Sequence, residues 1–146
     1  MDITSHGAVL ALGTGWYPVE TEGEQRFRWS SESAEFRLAV LDEAPYRLVL
    51  QLEPGPGVEL RPFLLSVFDS EDKPLRRARV VGRERITLDI PPLAPGVHRF
   101  TLRSEGGGKR IASDPRSLEF RVFEFQAVPA ELDIVPPGVR LLKGWY

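Results

Sequence analysis

Ala34, Phe36, Leu38 and Val40 alternate with Glu35 and Arg37, and Tyr46, Leu48, Leu50 and Leu52 alternate with Arg47, Gln51 and Glu53. An apolar residue at every second position marks a strand with one face buried and the other wet. The rhythm returns in Phe63/Leu65/Val67, Ile86/Leu88/Ile90, His98/Phe100/Leu102 and Leu118/Phe120/Val122, and more weakly over Ala8–Leu12, Arg26–Trp29 and Leu75–Val81. About nine short strands at this spacing predict an antiparallel sandwich or barrel.

The breaks between the runs agree. Glu53-Pro54-Gly55-Pro56-Gly57 predicts a rigid loop, Asp69-Ser70-Glu71-Asp72-Lys73-Pro74 a polar hairpin, Gly82 a tight turn and Gly106-Gly107-Gly108 a hairpin tip. Pro91-Pro92-Leu93-Ala94-Pro95-Gly96 reads as the end of one strand and the start of the next. Proline fixes φ and glycine accepts positive φ, so both punctuate strands. No stretch places apolar residues at helical spacing between caps, and 13 prolines spread between the runs exclude a helical bundle. The predicted fold is an all-β antiparallel β-sandwich, jelly-roll or immunoglobulin-like.

Composition narrows the function classes more than it identifies one. A chain of 146 residues fits one domain and buries roughly 70% of its unfolded surface. Its 19 basic and 21 acidic side chains leave a net charge of −2 with no large basic field, so neither nucleic acid nor an anionic membrane is an expected partner. Cysteine is absent, which removes disulfides, thiolate metal sites and cysteine catalysis. No apolar run is long enough to span a membrane, and the N-terminus lacks a basic region followed by an apolar one. The chain therefore reads as soluble and, by default, cytoplasmic. Arg37, Arg47, Arg77, Arg79, Arg85, Arg99, Arg103 and Arg121 fall on outward strand faces among Asp and Glu, which favours a solvated mixed-charge exterior over a dedicated anion site.

Catalytic signatures are missing. His6 and His98 lie in separate segments, no Gly-x-Ser-x-Gly elbow or His-Glu-x-x-His occurs, and no residue stands out as a nucleophile. Gly106-Gly107-Gly108-Lys109 lacks the first glycine and the Ser or Thr of a phosphate loop. The acidic turn Asp69–Asp72 is short of the six to eight oxygens calcium takes. No cofactor, metal or catalytic residue is expected.

The densest chemistry lies in Trp16, Tyr17, Glu20, Arg28 and Trp29, with Asp114 and Arg116 near the other end of the domain. Two readings are open. Flat rings beside Arg, Asp and Glu suit the apolar C–H faces and hydroxyls of a sugar. Tryptophan plugs inside a sandwich, with Glu20 and Arg116 as a buried ion pair, leave the same trace, since a buried charge needs a partner. The plug is favoured for Trp16 and Trp29, while Asp114 and Arg116 lie in a loop, where binding groups concentrate.

Gly15-Trp16-Tyr17-Pro18-Val19-Glu20, then Phe27-Arg28-Trp29 leading into Ala34-Glu35-Phe36, and Asp114-Pro115-Arg116-Ser117-Leu118-Glu119-Phe120-Arg121-Val122, bracket most of the domain. This pattern resembles β-sandwich accessory modules of bacterial polysaccharide-biosynthesis proteins, often attached to glycosyltransferases. Glu119 stands where that family usually has glycine. The resemblance implies a non-catalytic module of a larger glycan-related protein, with a glycan as ligand and the enzyme's chemistry outside this chain. The alternative is a structural or protein-interaction sandwich.

A partial repeat sets the expected domain boundary. Asp133-Ile134-Val135-Pro136-Pro137-Gly138 follows the pattern of Asp2-Ile3-Thr4-Ser5-His6-Gly7, Leu141 matches Leu10, and Gly144-Trp145-Tyr146 repeats Gly15-Trp16-Tyr17. Ordered repeats mark a tandem array. Residues 1–128 are thus expected to form the sandwich. Residues 129–146 are expected to be a linker and the first strand of a truncated second copy, with a neighbouring domain or a second copy as partner.

Overall fold

The computed structural model describes residues 8–105 and 116–130. Ten strands run β1 (Ala8–Leu12), β2 (Glu20–Glu22), β3 (Gln25–Trp29), β4 (Ser33–Val40), β5 (Ala44–Pro54), β6 (Phe63–Phe68), β7 (Pro74–Val80), β8 (Glu84–Leu93), β9 (Gly96–Ser104) and β10 (Phe120–Pro129). They form two five-stranded sheets, ordered β1-β4-β9-β6-β7 and β2-β3-β10-β5-β8. Each strand pair is antiparallel. Only β2–β3 and β6–β7 are successive strands within one sheet, and the other connections cross between sheets. That alternation is the jelly-roll arrangement of the sandwich.

The period-two pattern becomes the core directly. Phe36, Leu38, Leu48, Leu50, Leu52, Leu65, Val67, Phe100 and Leu102 are fully buried between the sheets, with Phe120, Val122, Phe125 and Ala127 of β10. Phe36 stacks on Phe100 at 5.2 Å and meets Phe125 edge-on at 5.1 Å, so rings from both sheets interlock.

The structure departs from the predicted elements in three places. β2 has no apolar alternation in Glu20-Thr21-Glu22 and is held instead by pairing with Gln25–Phe27. Pro91 and Pro92 lie inside β8 rather than ending it. That strand is a sheet edge, and its pairing with β5 is interrupted opposite the two prolines, between Ala44 and Tyr46. The loop at 53–57 is shorter than its composition suggests, because β5 continues to Pro54 and a single 3₁₀ turn follows at Pro56–Val58. That turn is the only helical element of more than one residue among the described residues. The hairpin at Asp69 is as expected: its carboxylate accepts the N–H groups of Glu71 and Lys73, both at 2.9 Å.

Candidate functional site

The motif residues do not gather into one patch. The sheet divides them, and register shows how. Val122 is a core residue of β10, and Arg28 is its partner on β3, while Trp29 pairs with the outward Arg121. Directly opposed residues share a face, so Arg28 lies on the inner side of this sheet and Trp29 on the outer.

Trp16 is a plug. Its indole packs on Phe120 edge-on and on Phe125, both with centroids at 6.3 Å, and its Nε1–H donates to the Glu35 carbonyl at 2.9 Å. Backbone geometry seats it there. Gly15 has φ +89°, and a Cβ on it would lie 1.9 Å from the Ser33 carbonyl oxygen. Only glycine lets the chain press this closely against β4.

Trp29 belongs to a different cluster, on the outer face. It meets Phe27 edge-on at 6.0 Å, and Phe27 meets Phe123 at 5.9 Å. The β10 register shifts between Val122 and Glu124, which puts Phe123 in a bulge. Bulges re-aim side chains, and here the ring joins the outer cluster. The Arg121 guanidinium lies over Phe27 (4.6 Å), Phe123 (5.3 Å) and Trp29 (5.4 Å), and that of Arg83 over Phe123 (4.2 Å). Glu53 accepts from both, at 2.9 Å from Arg83 and 2.6 Å from Arg121. Burial pushes the Glu53 carboxyl up, but the hydrogen bonds and charges of the two arginines outweigh it and hold it below the ordinary value.

Tyr17, Glu20 and Arg116 do come together, with Arg28 reaching only the Tyr17 backbone from the inner side. Arg116 Nη1 pairs with Glu20 Oε2 at 2.5 Å, joining the first motif to the last as the sequence predicts. The pair is half-buried rather than buried, with side chains 33% and 35% exposed. The Arg116 guanidinium also lies 5.5 Å from the Tyr17 ring centroid. Tyr17 Oη accepts the Ser117 N–H at 3.1 Å, and its carbonyl accepts from Arg28 Nη1 at 3.3 Å. Arg28 Nε is buried and finds no acceptor among the described residues. A cleft of about 40 Å³ beside it is lined by Val19, Arg26, Phe27, Arg28, Val122 and Phe123. This space admits only water-sized groups. Asp114, the remaining residue of the predicted set, lies outside the described residues.

Sequence reasoning missed Glu119. Counting along Leu118/Phe120/Val122 puts it outward, yet it is fully buried, as are Ser117 and Leu118. Residues 117–119 precede β10 and run between β3 and the 3₁₀ turn, where Glu119 N–H donates to the Ser30 carbonyl and the Leu118 and Glu119 carbonyls accept from Gly57 and Gly55. Alternation therefore fails there. The carboxylate accepts from Ser104 Oγ at 2.5 Å and Ser117 Oγ at 2.8 Å, and a Cβ on Gly57 would fall 2.2 Å from its Oε2. Ser117 two residues before the carboxylate is the sole sequence sign of this network.

Outer arginines on both sheets form ion pairs, as in a mixed-charge surface. Arg47 bonds Asp89 at 2.7 Å, Arg103 bonds Asp72 at 2.9 Å, and Arg85 bonds Glu124 at 3.0 Å. No group of three or more His, Cys, Asp or Glu among the described residues is arranged to hold a metal. No helix among them is long and apolar enough to cross a membrane.

No protein-family model and no curated protein matches the chain. Solved structures match at the level of fold. One is a Podospora anserina GH26-CBM35 β-(1,4)-mannanase, with 10% identity over 88% of this chain and 26% of that one, TM-score 0.50. Others are family 35 carbohydrate-binding modules, one from Clostridium thermocellum (9% identity, 79% of this chain and 92% of that one, TM-score 0.47) and one from an environmental isolate (12%, 82% and 96%, TM-score 0.48). The chain thus spans about a quarter of the mannanase's length, and what the likeness to that enzyme shows is a shared β-sandwich fold.

Proposed function

We propose that this chain is a non-catalytic accessory module of a glycan-related protein, and that it binds carbohydrate on the surface built by Tyr17, Glu20 and Arg116. The observation that carries the reading is the Tyr17–Arg116–Glu20 cluster. A half-buried ring, a guanidinium and a carboxylate converge there on the last-motif loop, offering a C–H stacking face, donors and acceptors together. Arg28 supports the ring from beneath, its Nη1 donating to the Tyr17 carbonyl at 3.3 Å. Asp114, two residues before Arg116 in the sequence, stays in the proposed ligand set. The mannanase with the shared fold is named for a family 35 carbohydrate-binding module, which supports the same reading. Attachment to a glycosyltransferase of polysaccharide synthesis follows from the sequence resemblance alone.

Trp16 and Trp29 leave the proposed set as sugar platforms, because one plugs the core and Arg121 lies over the other. That arrangement favours, as a second reading, a protein-interaction sandwich with no small-molecule ligand. A glycan array probed with the wild-type domain and with Arg116→Gln separates the two. The glycan reading expects a neutral or anionic glycan to be retained by the wild type and lost by a variant whose circular dichroism is unchanged. No retention of any glycan at millimolar concentration overturns it in favour of the interaction module.

A further inference from the structure

Arg37 and Arg99 depart from the tight pairing of the other outward arginines. Both alternate with core residues, Phe36 and Leu38 on β4 and Phe100 on β9, so both stand on the outer face of the sheet β1-β4-β9-β6-β7. The ladder sets them directly opposite each other, and like charges at opposed positions repel across a sheet. Among the described residues, Glu35 is the one carboxylate within ion-pair reach of either, at 4.0 Å from Arg37 and 3.8 Å from Arg99. Both distances are beyond a hydrogen bond. Arg47, Arg85 and Arg103, by contrast, hold their carboxylates at 2.7, 3.0 and 2.9 Å. One distant carboxylate shared by two guanidinium groups leaves an excess of positive charge, and the two side chains are 54% and 53% exposed.

The pair opens onto a groove of about 350 Å³, lined by Arg37 and Arg99, by Val97 and His98 of β9, and by Ser70 of the β6–β7 hairpin. Small-ligand sites span about 300–1,000 Å³, so this groove has the room that the cleft beside Arg28 lacks. Val97 is 70% exposed and stands two residues before Arg99 on the same face. It opposes Ala39, which opposes Val9 in turn, so an apolar strip crosses three strands beside the arginines. Val97 and Arg99 are about 7 Å apart along β9. His98 Nε2–H donates to the Ala94 carbonyl at 2.7 Å, which leaves the two arginines as the groove's charged donors.

We propose that this groove is a second binding site, for a carboxylated sugar unit of an acidic glycan. A guanidinium is a planar fork that matches a carboxylate, and two opposed forks take one carboxylate between them where Glu35 is too distant to bond. The C–H face of the same ring covers Val97. A peptide fits less well, because extended peptides dock on a free sheet edge and β4 and β9 each have a neighbour on both sides. Single-stranded nucleic acid binds on aromatic platforms, and no aromatic residue lines the groove. That the ligand is a glycan rests on the carbohydrate reading above; that the groove takes an anion rests on the arginine pair alone.

Titration of the labelled full chain with an oligogalacturonate and an oligoglucuronate, followed by amide chemical shifts, tests this. Saturable shifts are expected at Ser70, Val97 and Arg99 with at least one of the two. They should be absent with the uncharged sugar oligomers and with an oligoglutamate of equal charge. Arg37→Gln and Arg99→Gln should each weaken binding on the order of tenfold, while Arg85→Gln on the other sheet leaves it unchanged. Without ligand, Arg99→Gln should hold or raise the melting midpoint, since it removes a like-charged neighbour; a lowered midpoint would make the pair a structural feature and overturn the proposal. Silence to both acidic oligomers overturns it, and so do equal shifts with oligoglutamate, which would make the groove a site for acidic peptides. Shifts at Tyr17 and Ser117 alone would overturn the groove and uphold the surface proposed above. Shifts at Val97 and Arg99, with Tyr17 silent to every glycan, would uphold the groove and overturn that surface.

Discussion

Gly15→Ala separates a structural motif from a permissive one. The residue has φ +89°, and an added Cβ would lie 1.9 Å from the Ser33 carbonyl oxygen, 2.8 Å from Ala34 Cα and 2.9 Å from the Ser33 carbonyl carbon. All three are backbone atoms at the start of β4, so no side chain can rotate away. A left-handed conformation costs a non-glycine residue about 1–2 kcal/mol. Moving a packed backbone by the required distance adds about 1–3 kcal/mol. The shift would also pull on the Ser31 N–H to Gly15 carbonyl and Glu35 N–H to Thr14 carbonyl bonds, both 2.8 Å. A loss of about 3 kcal/mol corresponds to a fall of about 10 °C in Tm for a domain of this size. Gly23→Ala is the control, because Gly23 has φ +63° and a Cβ added there would meet nothing within 4 Å. It should cost about 1 kcal/mol, from conformation alone. Urea unfolding followed by circular dichroism reads both, as a shift in midpoint at unchanged slope. Equal costs for the two variants would refute the close-approach argument.

Two further variants test the electrostatics. Arg116→Ala should cost about 1 kcal/mol or less by urea unfolding, because its pair with Glu20 is about one-third exposed and screened by solvent; a loss of about 3–5 kcal/mol would mean the carboxylate had been stranded as a buried charge. Glu53 has a depressed pKa, so its contribution is full above its ordinary value of 4.5 and is lost as pH falls through the folded value. Glu53→Gln should therefore show a smaller loss of stability than the wild type between about pH 5 and pH 3, and parallel acid limbs would show that the Arg83 and Arg121 contacts leave its pKa unshifted.

Much of the sandwich was legible because its core obeys one rule. Phe36, Leu48 and Phe100 alternate with polar neighbours and end up between the sheets. Where pairing rather than alternation makes a strand, as in Glu20-Thr21-Glu22, the rule had no signal to read. The candidate site was legible in residue type but not in arrangement. Trp16 and Trp29 flank the same sheet, and only the pairing of Arg28 with Val122 and of Trp29 with Arg121 reveals which side each motif residue takes. The Glu20–Arg116 link was readable because each is the charged member of an otherwise packed motif. Glu119 was not, since its burial depends on Gly57, Ser104 and Ser117, which are distant or unremarkable in sequence.

Amide chemical shifts of the labelled domain, followed during titration with glycans retained on the array, test the central claim most directly. Binding at the proposed surface predicts saturable shifts centred on Tyr17, Arg28 and Ser117, with Phe36 and Leu50 in the core unmoved. Shifts confined to the Arg83–Phe123–Arg121 cluster, or to the Arg37–Arg99 face of the other sheet, would contradict it.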